Sequence, residues 1–211
     1  MVVQDIQMSG HTEHKTKKTI KMKLTSYIKS YQCPQETIKG GIELFEMCKD
    51  MDFVVPGKIG MGTVDKTIKD SEDVYLESLP MFAAHEFGID LYVDHIKESC
   101  QKYLDSIHLG YYQLRMLGLP QIQHYPPGGG YFQEHIDSYS NSTCNRIIGY
   151  ITYLNTINNG GGTQFPYMNH TEQAVAGKTI FFPSGVTHPH KGVVAPDEDK
   201  YILVGWFGSS C

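Results

Sequence analysis

The chain is predicted to be mainly β, with helices packed in front of a β-core, and three observations carry that reading. Beyond Gly110, short β-branched and aromatic runs alternate with Gly, Pro and Asn turns: QIQHY, NRIIGYITYL, KTIFFPS and KYILVGWF. Several short strands at this spacing suggest a sandwich, a jelly roll or a barrel. Helical periodicity is confined to the N-terminal half, where two segments repeat apolar residues at three- and four-residue steps. The usage of 21 Gly and 14 Tyr leans the same way, toward turns and strands.

The elements follow in chain order. Residues 1–23 read as a flexible arm; the stretch SGHTEHKTKKTIKMK is polar and basic, and its His11 and His14 are expected to be solvated. From Leu24 to Met47 the pattern is a short strand, a Cys-Pro turn, then a helix carrying Ile38, Ile42, Leu44, Phe45 and Met47. Residues 50–75 hold Pro56, Gly57, Gly60 and Gly62 and read as a loop, with 56–75 a candidate lid. A long helix is predicted over about Asp90 to Ile107, with Leu91, Ile96, Cys100, Tyr103 and Leu104 along one stripe. NRIIGYITYL is apolar on both parities, as a strand covered on both faces would be. Asn158-Asn159-Gly160-Gly161-Gly162 is a turn that Asn and Gly accommodate at low cost. The 211 residues suffice for one domain over 24–211, with helical support and lid in 24–119 and the β-core in 120–211.

Composition excludes several classes. The net charge of −5 gives no general electrostatic case for nucleic acid or an anionic membrane. No run approaches the length of a membrane span. Five scattered cysteines without a C-x-x-C pair argue against a disulfide framework or a structural zinc site. The first ten residues are polar and show no signal pattern, so a cytoplasmic location is expected and the sequons at Asn141 and Asn169 carry no weight.

Three features in the β-half carry chemistry. In His135-Ile136-Asp137, an extended backbone turns the imidazole and the carboxylate to one face, about 7 Å apart at Cα. A distal histidine from Thr187-His188-Pro189-His190-Lys191-Gly192 would complete a set of two imidazoles and one carboxylate. That set leaves sites open on Fe(II) for O₂ and a bidentate co-substrate. His188 and His190 share strand parity, so alternation leaves both open. Lys200 opens the strand KYILVGWF, and a cation on so apolar a strand is costly to bury unless an anion pairs with it. The C5 carboxylate of 2-oxoglutarate would be that anion.

From Gln123 to Phe207 the chain resembles the catalytic core of the prolyl 4-hydroxylase-like branch of the 2-oxoglutarate oxygenases. The resemblance rests on Tyr125, the turn Gly128 to Gly130, His135/Asp137, Arg146, Tyr153-Leu154-Asn155, Gly161-Gly162-Thr163-Gln164-Phe165, Ala174 to Gly177, His190-Lys191-Gly192 and Lys200, in the family's order. It implies a double-stranded β-helix core, jelly-roll and cupin-like. It also implies Fe(II) held by His135, Asp137 and His190, with the lysine spacing and Gly192 favouring His190 over His188. Lys200 and Tyr125 would fix 2-oxoglutarate, with Thr163 beside it, and Tyr131, Arg146 and Trp206 would meet substrate.

Further implications are O₂ as co-substrate, ascorbate as a candidate reductant, and a peptide or protein partner whose prolyl residues are hydroxylated. Hydroxylation of a free amino acid or small metabolite, and a metal- or sugar-binding β-barrel module without turnover, are the alternatives. Nucleic-acid demethylation is disfavoured, since relatives of that kind anchor the co-substrate with arginine. Relatives that halogenate replace the metal carboxylate with a small residue, and Asp137 is present here. A monomer or weak dimer is expected, and the short core resembles microbial and phage-encoded members, the host cytoplasm being the location in the latter case. The sequence departs from the family at three places. The glycine turn before His135 is one residue longer, leaving Tyr131 or Phe132 to face substrate; the proline before Gly177 is missing; and Val194 stands where a proline follows H-x-G-x.

Overall fold

The computed structural model describes residues 23–60, 62–80 and 85–209. The predicted arm, with His11 and His14, lies outside the described residues apart from Lys23. A 3₁₀ turn, Leu24–Tyr27, leads into strand β1 (Lys29–Gln32) and then helix α1 (Gln35–Asp50). Pro34 starts the helix with φ −57° and ψ 145°, a geometry proline holds without strain. Glu36 in the first turn and Lys49 in the last complement the helix dipole. Its buried stripe is Thr37, Gly40, Gly41, Leu44, Phe45 and Cys48.

The second helix, α2 (Ile89–Ser106), lies where the periodicity predicts. Ile96, Cys100, Tyr103 and Leu104 are buried as expected, but Leu91 is 59% exposed and does not belong to the stripe. Tyr92, the next residue, takes the buried position and reaches the sheet, its hydroxyl sharing a hydrogen bond with Thr152 Oγ1 at 2.7 Å.

The predicted loop 50–75 is only partly a loop. It contains β2 (Val55–Pro56), β3 (Lys69–Asp70) and β4 (Glu72–Tyr75). These are too short to show periodicity on their own and are held by pairing. Glu72 to Tyr75 lie against His124 to Gln121, and Lys69–Asp70 against Tyr131–Gly130.

The remaining strands are β5 (Arg115–Met116), β6 (Gln121–Tyr125), β7 (Gly130–Tyr131), β8 (Arg146–Tyr153), β9 (Thr163–Phe165), β10 (His170–Glu172), β11 (Lys178–Pro183), β12 (Lys191–Gly192) and β13 (Lys200–Gly208). They form a major antiparallel sheet in the order β1-β11-β8-β13-β6-β4-β2, with β5 on β13, and a minor sheet β10-β9-β12. The small pair β3-β7 stands beside them. This is the jelly-roll core, and the non-consecutive strand order is what brings distant motifs together.

The two faces of the major sheet bury different sets. One packs Ile148, Tyr150, Phe181, Leu203 and Phe207 against Leu44, Phe45, Tyr92, Ile96 and Tyr103 of the helices. The other packs Tyr125, Ile151, Tyr153, Phe182 and Ile202 toward Phe165 of the minor sheet. β8 is therefore covered on both sides, as its unbroken apolar run requires; Ile147 near its start is the exception, at 42% exposure. In the Asn158–Gly162 turn, Gly160 and Gly161 have φ of 81° and 69°, so the left-handed backbone predicted there is present.

Phe181 is fully buried and meets Tyr31, Tyr103, Tyr150 and Phe207 at centroid distances of 5.6–6.5 Å. Phe181→Ala is expected to destabilise the fold by about 3–5 kcal/mol. The check is urea denaturation, where the midpoint should fall with the slope unchanged.

Candidate active site

The site begins with a backbone pairing. His135 and His190, far apart in sequence, form an isolated antiparallel bridge in which each N–H donates to the other's carbonyl at 2.9 Å. Asp137 is fixed two residues on by its N–H donating to Ser184 O at 3.1 Å. The three side chains converge so that one ligand atom from each lies within 4.8 Å of the others. His135 Nε2 is 4.0 Å from Asp137 Oδ1, and His190 Nε2 is 3.9 Å from Asp137 Oδ2. These spacings are too long for direct hydrogen bonds and short enough to close around one ion.

The surroundings prepare both imidazoles as ligands. His135 Nδ1 lies 3.0 Å from Gln133 O and His190 Nδ1 lies 3.1 Å from His188 O. A carbonyl only accepts, so each Nδ1 carries the proton and each Nε2 presents a lone pair. Burial, then the neighbouring His190, pushes His135 down to about 4, which keeps it neutral. Tyr131 stacks on the His135 ring at 3.8 Å and 13°, and Phe182 stands edge-on to His190 at 4.7 Å. Gly149 on β8 makes room for the acid: a Cβ there would lie 3.0 Å from Asp137 Oδ2 and 3.1 Å from the Phe182 ring. Two imidazoles and one carboxylate on a rigid frame are a donor set that fits Fe(II).

A cavity of about 330 Å³ lies between the two sheets, and all nine predicted site residues line it: His135, Asp137, His190, Tyr125, Thr163, Lys200, Tyr131, Arg146 and Trp206. Lys200 is 5% exposed, with its ammonium 5.0 Å from the Tyr125 ring centroid. Burial alone pushes it down to about 8, with no carboxylate among the described residues near enough to hold the charge. Thr163 Oγ1 accepts from Tyr153 Oη at 2.7 Å, and Tyr125 Oη donates to Gln123 Oε1 at 2.8 Å. Arg146 lies flat on Trp206, its guanidinium carbon 3.6 Å from the ring centroid. Lys58, Ile59, Gly60 and Gly62 of the predicted lid line the same cavity.

Tyr131 lines the cavity, whereas Phe132 is 36% exposed and donates its backbone N–H to Ile68 O at 2.8 Å. Both ring nitrogens of His188 are engaged: its Nε2 donates to Leu24 O at 3.2 Å and its Nδ1 accepts from Thr187 Oγ1 at 2.8 Å. His124 points to the helix face, between Glu72 at 3.1 Å and Asp199 at 2.7 Å. His85 and His170 pair with Asp90 and Glu172, and His95 with Ser99.

Sequence reasoning missed two features. Gly149 carries no local signal, because its constraint comes from Asp137 on another segment. The pair Lys69 Nζ–Asp73 Oδ2 is buried at 2.7 Å, with Ser71 Oγ donating to Asp73 at 2.8 Å, and it lies in a stretch that reads as loop.

Residues 120–208 match the family model described as the 2OG-Fe(II) oxygenase superfamily. No curated protein matches the chain by sequence. Solved structures do match in fold. A Pseudomonas putida prolyl-4-hydroxylase aligns with a TM-score of 0.66 and 19% identity, over 86% of this chain and 92% of its own. The collagen prolyl hydroxylase of Paramecium bursaria chlorella virus 1, in a 2OG complex, gives 0.61 and 18% over 87% and 97%. A Trichoplax adhaerens prolyl hydroxylase, bound to a hypoxia inducible factor peptide fragment, gives 0.67 and 16% over 87% and 84%.

Fold and site together define a 2-oxoglutarate-dependent dioxygenase. Residues 120–208 carry the match to the 2OG-Fe(II) oxygenase superfamily, and the chain has a prolyl 4-hydroxylase-like fold. The cofactors of that family are Fe(II), 2-oxoglutarate and O₂. Among the described residues no helix is long and apolar enough to cross a membrane.

Two outcomes test the geometry. His190→Ala is expected to abolish Mn(II) binding by calorimetry, while His188→Ala retains it. For Lys200, the ammonium of the empty cavity is lost above about pH 8, and facing a carboxylate would keep it charged to higher pH. Binding of 2-oxoglutarate above that pH then takes up a proton. Its apparent affinity should weaken as pH rises past 8, approaching about tenfold per unit, with no contribution from this group below it. Lys200→Met should weaken binding by roughly 10- to 100-fold and remove that dependence.

Proposed function

We propose that this dioxygenase hydroxylates a prolyl residue of a peptide or protein, releasing succinate and CO₂ from 2-oxoglutarate. The observation that carries the reading is a buried Lys200, with no ion-pair partner among the described residues, sharing one cavity with a His-Asp-His cluster. The prolyl preference is supported by the fold of the matching hydroxylases, one of which is described with a bound peptide.

His135, Asp137 and His190 would hold the iron. When bound, iron, 2-oxoglutarate and O₂ supply the oxidative decarboxylation and the insertion of one oxygen atom into a C–H bond. The chain's own residues do the positioning. Lys200 receives the far carboxylate of the co-substrate, and that charge fixes which end of the dicarboxylate points at the His-Asp-His cluster. Thr163 has its oxygen occupied by the Tyr153 hydroxyl, so its own O–H is directed by that bond and available to the co-substrate. The Tyr125 hydroxyl is engaged with Gln123, so its part is to pack its ring under the Lys200 ammonium until a carboxylate competes for the hydroxyl. Ile151, Ile202, Val204 and Phe182 form an apolar wall that keeps water from the reacting carbon. Tyr131 buttresses His135, and Arg146 with Trp206 forms the substrate side of the cavity.

The test is mass spectrometry of proline-containing peptides incubated with the protein, Fe(II), 2-oxoglutarate, ascorbate and air. A gain of one oxygen atom on proline, absent in His135→Ala, is the expected result. Succinate release without any oxygenated peptide, while a free amino acid gains oxygen, would replace the peptide reading with the small-metabolite one.

A further inference from the structure

The cationic groups of the cavity do not balance. Lys58, Lys69, Arg146 and Lys200 line it, against Asp137 as the sole lining acid among the described residues. Lys69 is neutralised by Asp73 at 2.7 Å. On the reading above, a divalent ion on Asp137 and a dicarboxylate facing Lys200 leave the inner end neutral. Arg146 and Lys58 are then left over, and Lys58 is exposed at the rim. Arg146 is the informative one. It is half-buried, and the groups that act on it electrically, Asp137, Tyr139 and Tyr131, do so through space without a hydrogen bond. A guanidinium has five N–H donors and no acceptor, and none of them is engaged among the described residues.

Its setting is built. The guanidinium is held flat on Trp206 at 3.6 Å, which fixes its plane and leaves its edge free. The indole Nε1 of Trp206 is itself buried with no acceptor among the described residues. Arg146 and Trp206 also line a second, mostly polar cavity of about 220 Å³ with Ser142 and Asn145, so a ligand reaching them has room to continue outward.

We propose that the substrate carries a carboxylate beside the carbon to be hydroxylated, and that Arg146, held on Trp206, receives it. The inference rests on the dioxygenase reading and narrows its substrate class. The carboxylate has three sources that share this chemistry: an acidic residue flanking the target in a peptide, the α-carboxylate of a C-terminal residue, or that of a free amino acid. A bidentate, charge-assisted pair at a half-buried site discriminates against a neutral isostere by roughly 10-fold, rising to about 100-fold.

Trp206 is the chain's single tryptophan, so its emission reports this subsite alone. The test titrates protein loaded with Fe(II) and 2-oxoglutarate under nitrogen with three matched pairs. These are Asp-Pro against Asn-Pro peptides, N-acetylproline against its amide, and L-proline against prolinamide. At least one anionic member is expected to shift Trp206 emission and bind about tenfold or more tighter than its neutral partner. Arg146→Gln should bring that ratio close to one, and Arg146→Lys, which keeps the charge, should restore part of it. Equal binding within every pair, a preference that survives in Arg146→Gln, or emission that no probe moves overturns the proposal. Admitting air separates the two readings. Neutral prolyl peptides oxygenated as fast as anionic ones sink this inference alone. Oxygen gained only by acids that lack proline sinks the prolyl reading and leaves this one standing.

Discussion

The site depends on the two main-chain hydrogen bonds between His135 and His190. Each is ordinary, contributing about 1 kcal/mol net, yet together they are the junction at which the segment leaving β7 meets the segment entering β12. Neither ligand lies within a regular strand. What holds the junction in place is the frame on either side. β9 pairs with β12 through Gln164↔Lys191 and Thr163↔Gly192, and Phe165 and Phe182 pack beside His190. The ligand geometry is thus a property of the sheet order, and no local segment contains it.

That explains what was legible in the sequence. Features governed by the neighbouring residue could be read directly. The alternation of β13 places Lys200, Ile202, Val204 and Trp206 on the cavity side, as parity requires. The apolar run of β8 meant two covered faces, and the glycine turn meant left-handed backbone. The choice of His190 over His188 was carried by motif spacing. In the fold, Leu24 and Thr187 engage both nitrogens of His188, a contact that parity could not reveal.

What was illegible is governed by contacts across the fold. Leu91 satisfied helical spacing, but the sheet lies under Tyr92 instead, and the hydrogen bond between Tyr92 and Thr152 fixes which neighbour turns inward. β2, β3 and β4 are two to four residues long and exist because partners wait for them, so their text of Gly, Pro and charges reads as loop. Lys69 and Asp73 look like solvated charges in sequence. They are buried because β3 on β7 and β4 on β6 place them under the cavity floor, where they pair at 2.7 Å.

The contrast between the two buried lysines states the logic of the cavity. Lys69 has a carboxylate 2.7 Å away and a hydroxyl completing that carboxylate's bonds, an arrangement finished within the protein. Among the described residues Lys200 has neither; its ammonium lies 5.0 Å from the Tyr125 ring centroid. An unpaired ammonium in an apolar strand opposes folding, so a fold that keeps one there holds an interaction open for something that arrives later. The same reasoning applies in weaker form to Arg146, whose flat seat on Trp206 leaves its donors unspent. In a chain of net charge −5, Lys200 and Arg146 both line this one cavity. The chemistry of what binds there is therefore constrained by electrostatics before any shape is considered: one anion opposite Lys200, and a second beside Arg146.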